Sequence, residues 1–409
     1  MRSDVAVVGA GPAGTWAAHV LARHGARVAL IDPSHPREKP CGGGVTGRAL
    51  ALVADAVDID CLPARRIRSA RFVRGAIGED AVVTLQNEGE VGAPFFTVGR
   101  GATPRRTASS RLSRGLVVAS RTDFDALLLA AARKAGAEIV AARVTDVAAI
   151  EGGFRLDVTP RPVHAAHVIG ADGANSLLRR RLARPFDRGE LSIATGYFAH
   201  AVTSDEIVVE MVADPPGYIW SFPRPTHLAI GICAQADAGS TVATLRARTA
   251  SWIRSTHIAS GARLEPYSWP IPSLTARGFE TLTVAGPGWF LVGDAAGLVD
   301  PITREGIYFA LLSGQWAADA LLSGAANPSR RYAERVRDEI AAELGRAARF
   351  KAGFFRPSFA RLMTDALLHS AGVRAVMADL ATGDQGYTGL RWRLAKTLEA
   401  RLAWRLLRS

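Results

Sequence analysis

Cysteine is scarce in this chain of 409 residues, which has only Cys41, Cys61 and Cys233. The three form no CxxC pair and no spacing typical of a zinc site, so we expect no metal centre. An odd and sparse set is also unlike a disulfide framework and is typical of a protein kept in the reducing cytoplasm. We therefore expect a cytoplasmic protein.

Long hydrophobic runs are also missing. No stretch reaches the roughly 20 apolar residues that a membrane-spanning helix needs. The chain opens directly into an apolar strand, Val5 to Gly9, without a basic segment or a small-residue cleavage site, so we expect no signal peptide. With 48% hydrophobic and 22% charged residues, the composition is that of an ordinary globular protein.

Acidic residues are outnumbered, with 38 Asp and Glu against 50 Lys and Arg, and the net charge is +12. The sequence has no nucleic-acid-binding motif and no basic stripe interleaved with aromatic residues, so we expect no nucleic-acid partner. One interpretation of the positive charge is that the protein binds an anionic membrane surface. The alternative is that its own surface simply carries many arginines without a specific partner, because net charge bears on association and not on the fold.

A glycine-rich motif, Gly9-Ala10-Gly11-Pro12-Ala13-Gly14, follows the first strand and opens a helix. This is the context of a dinucleotide-binding turn, in which the glycines allow a tight turn, approach of a pyrophosphate and close helix packing. The helix N-terminus then offers unpaired N–H groups to the phosphates. Asp32, followed by Pro33, ends the next strand and can accept from a ribose hydroxyl, which predicts FAD or NAD; a turn without a ligand is the alternative.

Two later motifs distinguish FAD from NAD. Asp172-Gly173 and Gly293-Asp294 each follow a predicted strand. An aspartate at a strand end can accept from a ribityl hydroxyl while the small neighbours keep the backbone close to the ligand. Each motif alone could be an ordinary turn, but an NAD enzyme needs neither, so the three motifs together predict FAD.

In this order the motifs resemble the flavoprotein superfamily typified by para-hydroxybenzoate hydroxylase, whose members share a glutathione-reductase-type FAD domain. The segment 120–125 is similar to the superfamily stretch in which an arginine contacts the flavin, which implies that role for Arg121. A surface arginine beside a helix is the alternative. We expect the adjacent helix to run from Thr122 to Ala135, with Thr122 as its N-cap.

Further segments resemble the geranylgeranyl reductases. Residues 39–44 are similar to their PCGGG segment, residues 218–223 with Gly231 to their YxWxFP signature, and residues 300–307 extend the Gly-Asp motif in the same style. Arg304 departs from the glycine that many superfamily members have. The resemblance covers roughly residues 1 to 320. The cofactor-binding residues predicted from the motifs and the resemblance are Gly9, Gly11, Pro12, Ala13, Gly14, Asp32, Pro33, Cys41, Gly42, Gly43, Gly44, Arg121, Asp172, Gly173, Gly293, Asp294, Pro301, Gly306 and Ile307.

Tyr218, Trp220 and Phe222 alternate along a strand and therefore share one face of its sheet. From spacing alone this apolar wall could be ordinary sheet core, but the resemblance implies that it lines a substrate cavity. The resemblance also implies that Cys41 lies near the isoalloxazine ring. Cys41 is either a small buried hydrophobe or a group that gates or senses the flavin state. The predicted catalytic residues are Cys41, Tyr218, Trp220 and Phe222.

The expected fold is α/β, because parallel βα units at both ends of the chain enclose a β-rich middle. A Rossmann-type FAD domain comprises residues 1–185 and 286–328, with residues near 60–120 contributing to the inserted sheet. Residues 186–285 form an antiparallel β-sheet substrate domain, and residues 329–409 a C-terminal helical region.

The last segment, residues 389–409, carries leucines every four residues and surrounding basic residues. This pattern predicts an amphipathic helix that either lies at a membrane interface or docks on its own domain. Peripheral attachment to the inner face of the membrane is therefore one possible location.

The resemblance implies an FAD-dependent reductase that saturates C=C bonds of an isoprenoid chain on a lipid, a quinone or a related molecule. No second dinucleotide motif is present, so NADPH would bind transiently, or a protein reductant would supply the electrons. The alternatives are an FAD-dependent aromatic monooxygenase and a non-enzymatic flavin-binding sensor at a membrane.

Overall fold

The computed structural model describes residues 1–73, 80–85 and 115–397. The strands are β1 (Arg2–Val8), β2 (Val28–Ile31), β3 (Gly44–Thr46), β4 (Ala64–Ile67), β5 (Ser69–Val73), β6 (Ala81–Thr84), β7 (Leu116–Ala119), β8 (Glu138–Val140), β9 (Val144–Ile150), β10 (Gly153–Val158), β11 (Val163–Gly170), β12 (Leu191–His200), β13 (Ile207–Val212), β14 (Gly217–Pro223), β15 (His227–Gln235), β16 (Arg263–Pro272), β17 (Ala285–Gly286) and β18 (Trp289–Leu291). The helices are α1 (Pro12–Arg23), α2 (Gly47–Val53), α3 (Arg121–Lys134), α4 (Leu177–Leu182), α5 (Val242–Thr256), α6 (Ala276–Glu280), α7 (Ile307–Leu322), α8 (Pro328–Arg335), α9 (Ala342–Phe354), α10 (Pro357–His369), α11 (Ala371–Thr382) and α12 (Leu390–Thr397).

The first sheet has the strand order β17-β18-β11-β1-β2-β8, and its strands from β18 to β8 run parallel. The antiparallel pair β9 and β10 attaches to β11. β2 is an unbroken apolar run buried along its whole length, which is typical of a parallel strand covered on both faces. Helix α1 packs against α3 and α7 beside this sheet. The predicted α/β class is therefore confirmed.

Helix α3 begins one residue earlier than predicted. Ser120 is its N-cap, because the Ser120 hydroxyl accepts from the backbone N–H of Asp123 at 3.1 Å. The prediction that Thr122 caps this helix is wrong: Thr122 lies within the first turn, and serine at the preceding position already satisfies a free N–H group.

The second sheet has the order β16-β12-β15-β14-β13-β5-β6 and is antiparallel except where β13 meets β5. Strands β5 and β6 reach it from the first part of the chain. One face packs against α5, where Ile219 and Ile232 belong to one buried cluster with Leu245 and Trp252. The opposite face carries Tyr218 and its alternating neighbours. We call this opposite surface the aromatic face; it comprises Tyr218, Trp220, Phe222, Ala194, Phe198, Cys233 and Tyr267.

Helices α8 to α12 form the C-terminal region, and a π-helical turn at Val336–Ala341 joins α8 to α9. Ser370 separates α10 from α11 and caps α11 by accepting from the N–H of Val373 at 3.2 Å. None of the helices in the described part of the chain is both long and apolar enough to span a bilayer.

Candidate active site

The predicted nucleotide motifs meet at one edge of the first sheet. Asp32, the first glycine motif, Asp172 and Asp294 follow strands β2, β1, β11 and β18, which are neighbours in the sheet. The carboxyl ends of parallel strands lie at the same edge, and a ligand bound there contacts several loops at once. Motifs far apart in the sequence thus come together because of strand order.

The three glycines of the first motif have different tasks. Gly9 has φ +102, and a Cβ there would lie 2.4 Å from the carbonyl oxygen of Ala171. A Cβ on Gly14 would lie 1.9 Å from the carbonyl oxygen of Gly9. Gly11 faces open space, since the nearest atom to its Cβ would be His35 Nε2 at 3.9 Å. The fold therefore requires Gly9 and Gly14, whereas Gly11 leaves room for a ligand.

Asp32 accepts hydrogen bonds from three backbone N–H groups, those of Ala10 at 3.0 Å, Ser34 at 2.8 Å and His35 at 2.9 Å. Its carboxylate also lies 2.9 Å from His35 Nδ1. Burial would raise the pKa of Asp32, but the contacts with His35 and the backbone outweigh it and hold this pKa well below its usual value. Asp32 is therefore an anion at the position predicted to receive a ribose.

His35 is a site residue that sequence reasoning missed. It lies between two carboxylates, with Nε2 3.5 Å from Asp125, while Asp125 is buried and bonds the guanidinium of Arg121 at 3.0 and 2.7 Å. Burial lowers the pKa of His35, but its hydrogen bonds to Asp125 and Asp32 outweigh this and raise it. A histidine three residues after the aspartate predicted to bind the ribose was the available signal. The guanidinium of Arg121 is engaged by Asp125, so its contact with the flavin remains a prediction.

The second and third motifs differ in how their carboxylates are used. Asp172 accepts from the hydroxyl of Ser176, the N-cap of α4, at 2.5 Å and from the N–H of Leu177 at 2.6 Å. Asp294 pairs with Lys39 Nζ at 2.8 Å, which joins the third motif to the beginning of the predicted PCGGG loop. The ribityl contacts predicted for both aspartates remain predictions.

The loop of residues 41–44, here called the glycine loop, lies directly on the aromatic face. A Cβ on Gly42 would be 3.0 Å from the ring of Phe222, and one on Gly44 would be 3.2 Å from it. Gly43 has φ +86, and its Cβ would lie 2.2 Å from the carbonyl oxygen of Ala119. Cys41 Sγ accepts from the N–H of Gly43 at 3.3 Å. The glycine run is thus needed for backbone to lie flat on an aromatic ring.

Arg224 connects the glycine loop to the second sheet and was also missed from the sequence. This arginine is fully buried, and it donates to Glu38 Oε1 at 2.6 Å and to the carbonyl oxygen of Cys41 at 2.7 Å. Burial would raise the pKa of Glu38, but Arg224 outweighs this and lowers it. The only signal in the sequence was an arginine between two prolines directly after the aromatic strand.

The remaining aromatic residues pack closely. Trp220 covers Gly231, whose Cβ would lie 2.6 Å from the indole ring. Tyr218 donates to the carbonyl oxygen of Thr303 at 3.3 Å and stacks with Phe355 at 6.4 Å between ring centroids. Burial raises the pKa of Tyr218 far above its usual value, so its hydroxyl keeps its proton. Three of the predicted catalytic side chains, Tyr218, Trp220 and Phe222, therefore lie on one face, and the fourth, Cys41, lies in the glycine loop beside them.

The loop of residues 300–306 contacts the aromatic face, since the carbonyl oxygen of Thr303 accepts from the hydroxyl of Tyr218. Asp300 accepts from the N–H of Ile302 at 2.7 Å and from the hydroxyl of Tyr387 at 2.8 Å. Arg304 has φ +62, a left-handed backbone conformation that favours glycine. Glu305 forms an ion pair with Arg48. Flavin contacts by Pro301, Gly306 and Ile307 remain predictions.

Comparison with known proteins identifies the cofactor. The family described as FAD binding domain matches residues 2–311. The chain belongs to this family. The predictions of FAD as cofactor and of a Rossmann-type FAD fold are thereby confirmed.

Relatives of this FAD-binding protein include reductases. It is 30% identical to menaquinone reductase of Mycolicibacterium smegmatis, over 99% of this chain and 98% of that one. It is 29% identical to digeranylgeranylglycerophospholipid reductase of Methanothrix thermoacetophila, over 88% of this chain and 89% of that one. A geranylgeranyl bacteriochlorophyll reductase-like protein of Thermoplasma acidophilum has the same fold, with a TM-score of 0.74, 21% identity and coverage of 97% and 99%. The predicted resemblance to geranylgeranyl reductases is confirmed.

The residues present fit FAD. Open space beside Gly11 suits a pyrophosphate at the N-terminus of α1, and ionised Asp32 suits a ribose. Lys39 beside Asp294 adds a cation next to the glycine loop. The adenosine end would thus lie at β1 and β2, and the flavin end beside the glycine loop and the aromatic face.

Proposed function

We propose that this protein is an FAD-dependent reductase that saturates C=C bonds of an isoprenoid chain on a lipid, a quinone or a related molecule. The names of its relatives support an isoprenoid or quinone substrate. The observation that carries the proposal is the contact between the glycine loop and the aromatic face, where backbone predicted to approach the flavin lies against the ring of Phe222.

An apolar chain lying along the aromatic face would be next to that loop. Ala194 and Cys233 pack beside Trp220, and these residues offer few polar groups. Such a surface favours a hydrocarbon and excludes water, which is the protein's main task when the cofactor carries the chemistry. Reduced FAD would supply the hydride when bound. Tyr218 provides a hydroxyl that keeps its proton at neutral pH.

The test is anaerobic incubation of the dithionite-reduced holoenzyme with prenyl lipids and menaquinone, followed by mass spectrometry. After reoxidation of any quinol to the quinone, we expect a gain of two hydrogen atoms per reduced double bond. The variant Trp220→Ala should lose this activity while keeping bound FAD, because it removes the surface that holds the chain and leaves the nucleotide motifs intact.

Two other outcomes would contradict the proposal. Oxygen-dependent addition of one oxygen atom would identify a monooxygenase. Absence of turnover with every prenyl substrate, with FAD bound and reducible, would favour a flavin-binding sensor. Rapid mixing of the oxidised holoenzyme with NADPH tests the electron donor, since slow flavin reduction would favour a protein reductant.

We also propose peripheral attachment to a membrane through the C-terminal segment. Leu390 is buried and Leu394 packs partly against the same helices, so the start of the leucine stripe docks on the protein. Trp392 is 76% exposed and is available to a bilayer interface. Residues 398–409 of the predicted stripe lie outside the described residues. Co-sedimentation with anionic liposomes should weaken in Trp392→Ala, and equal binding by both proteins would contradict this proposal.

A further inference from the structure

Two cations share one hydroxyl at an end of the aromatic face. Lys351, on α9, donates from Nζ to Ser273 Oγ at 2.7 Å and to Gln235 Oε1 at 2.5 Å. Arg304, in the loop before α7, donates from Nη1 to the same Ser273 Oγ at 2.5 Å. The two positive groups are therefore neighbours, although they come from distant parts of the chain.

Neither cation has a carboxylate partner within the described residues, where both donate to neutral acceptors. Arg304 Nε is also buried without a hydrogen-bond partner in that part of the chain. Other arginines around the site form ion pairs with carboxylates: Arg121 pairs with Asp125, and Arg224 pairs with Glu38. Two adjacent, partly buried like charges are unfavourable unless an anion compensates them.

The charges around Lys351 would favour the binding of an anion. Burial, and after it the positive charge of Arg304, lower the pKa of Lys351 to about 7. Cys233 on β15 and Asp237 beyond its end act to raise this pKa but are outweighed. A bound oxyanion between the two cations would reverse the repulsion and favour the charged ammonium.

The position of the pair relates it to the substrate surface. Gln235 ends β15, two residues beyond Cys233, which is paired with Tyr218 across the strands. Arg304 follows Thr303, whose carbonyl oxygen accepts from Tyr218. The apolar face therefore leads directly to two cations, a layout that suits a molecule with a hydrocarbon chain and an anionic head.

We propose that Lys351 and Arg304 form an oxyanion subsite that binds the phosphate or diphosphate group of a prenyl chain lying on the aromatic face. The chain part of this proposal rests on the proposed function. A neutral quinone head would be satisfied by uncharged donors and would leave both cations uncompensated.

The subsite is tested by titrating inorganic diphosphate into the oxidised, FAD-saturated protein and measuring heat. FAD saturation keeps the probe away from the pyrophosphate position beside Gly11. Lys351→Met and Arg304→Gly should each weaken binding about tenfold or more, because each removes a charge-assisted contact. Arg304→Gly suits the left-handed backbone, and Lys351→Arg should restore binding. Lys134→Met, which changes an exposed lysine on α3, is the matched control and should bind as the unaltered protein does.

A second arm identifies the source of the oxyanion. Geranylgeranyl diphosphate should bind more tightly than inorganic diphosphate, and geranylgeraniol should show no loss in the two variants. In the anaerobic reductase assay, the variants should raise KM for the diphosphate substrate with little change in kcat. If the diphosphates bind as expected but no prenyl chain is reduced, the proposed subsite is supported and the proposed function is rejected.

Three results would overturn the subsite. Unchanged diphosphate affinity in both Lys351→Met and Arg304→Gly would show that the pair binds no oxyanion. Equal affinity for inorganic and prenyl diphosphate would show a site for free phosphate and not for a substrate head group. A shifted flavin reduction potential with unchanged diphosphate affinity would show that the pair acts on the reduced flavin.

Discussion

Arg224 donates to the carbonyl oxygen of Cys41 at 2.7 Å and thereby joins the second sheet to the glycine loop. The same guanidinium pairs with Glu38 at 2.6 Å, a few residues before the loop. One buried side chain therefore sets the distance between the aromatic face and the backbone predicted to approach the flavin. A shift of the sheet would move this loop as well.

Replacement of Arg224 should destabilise the fold and loosen the glycine loop. Arg224→Met leaves Glu38 without its charged partner, and breaking such a pair costs about 3 kcal/mol, the lower end of the range because Glu38 is partly exposed. Chemical denaturation of the holoprotein measures the loss. Arg277→Met, which changes an exposed arginine, is the control and should alter stability by less than about 0.5 kcal/mol. Equal stabilities of the two variants would contradict the role of Arg224.

Alanine substitutions in the first glycine motif should separate cofactor binding from folding. Gly11→Ala places its methyl group in open space, so the apoprotein should remain as stable as before while FAD binds about tenfold more weakly, ~1.4 kcal/mol. Gly14→Ala should instead destabilise the apoprotein, because its Cβ would overlap the carbonyl oxygen of Gly9. FAD titration and denaturation of both apoproteins measure the difference. Equal FAD affinity in Gly11→Ala and the unaltered protein would reject this site.

The stability of the protein should depend on the protonation of His35. The pKa of His35 is raised in the folded state, so its contribution is fully present below the unfolded value near 6.5. That contribution is lost as pH rises through the raised pKa. Denaturation between pH 6 and 9 should therefore show a decline that is smaller in His35→Gln. Parallel pH profiles for the two proteins would contradict the charged state of His35.

Cys41 should influence the flavin through the shape of the glycine loop. Cys41→Ala removes the acceptor for the N–H of Gly43, and Cys41→Ser keeps an acceptor there. We expect slower flavin reduction and turnover in the alanine variant and partial recovery in the serine variant, both measured by rapid mixing. If Cys41→Ala left both rates unchanged, the gating or sensing role would be rejected.

Binding of inorganic diphosphate should weaken as pH rises above about 7, because Lys351 loses its proton in that range when no anion is bound. The groups that face Lys351 are Arg304, Cys233 and Asp237. The arginine in Lys351→Arg keeps its charge, so the diphosphate affinity of this variant should change less over the same pH range. The protonation of diphosphate itself affects both proteins equally and cancels when their pH profiles are compared. Identical pH profiles would show that Lys351 does not carry the effect.

The sequence predicted the parts of the site that depend on local pattern. The glycine motif needs only a strand, a turn and a helix in succession, and these occur within residues 2–23. Alternation placed Tyr218 and Trp220 on one face because side chains along a strand have a period of two. The misassigned cap of α3 shows the limit of such patterns, since Ser120 and Thr122 are both suitable caps and only the backbone geometry selects Ser120.

The long-range contacts could not be read from the sequence. Arg224 meets Cys41, His35 meets Asp125, and Lys351 meets Arg304 through Ser273. Their separations along the chain carry no periodic signal, and any of these charged residues could have been an exposed surface group. The sequence by itself determined the cofactor class and the residues of the aromatic strand, because local backbone geometry requires them. The tertiary structure decided which buried charges are paired and which are not, because strand order and helix packing bring distant side chains within hydrogen-bond distance.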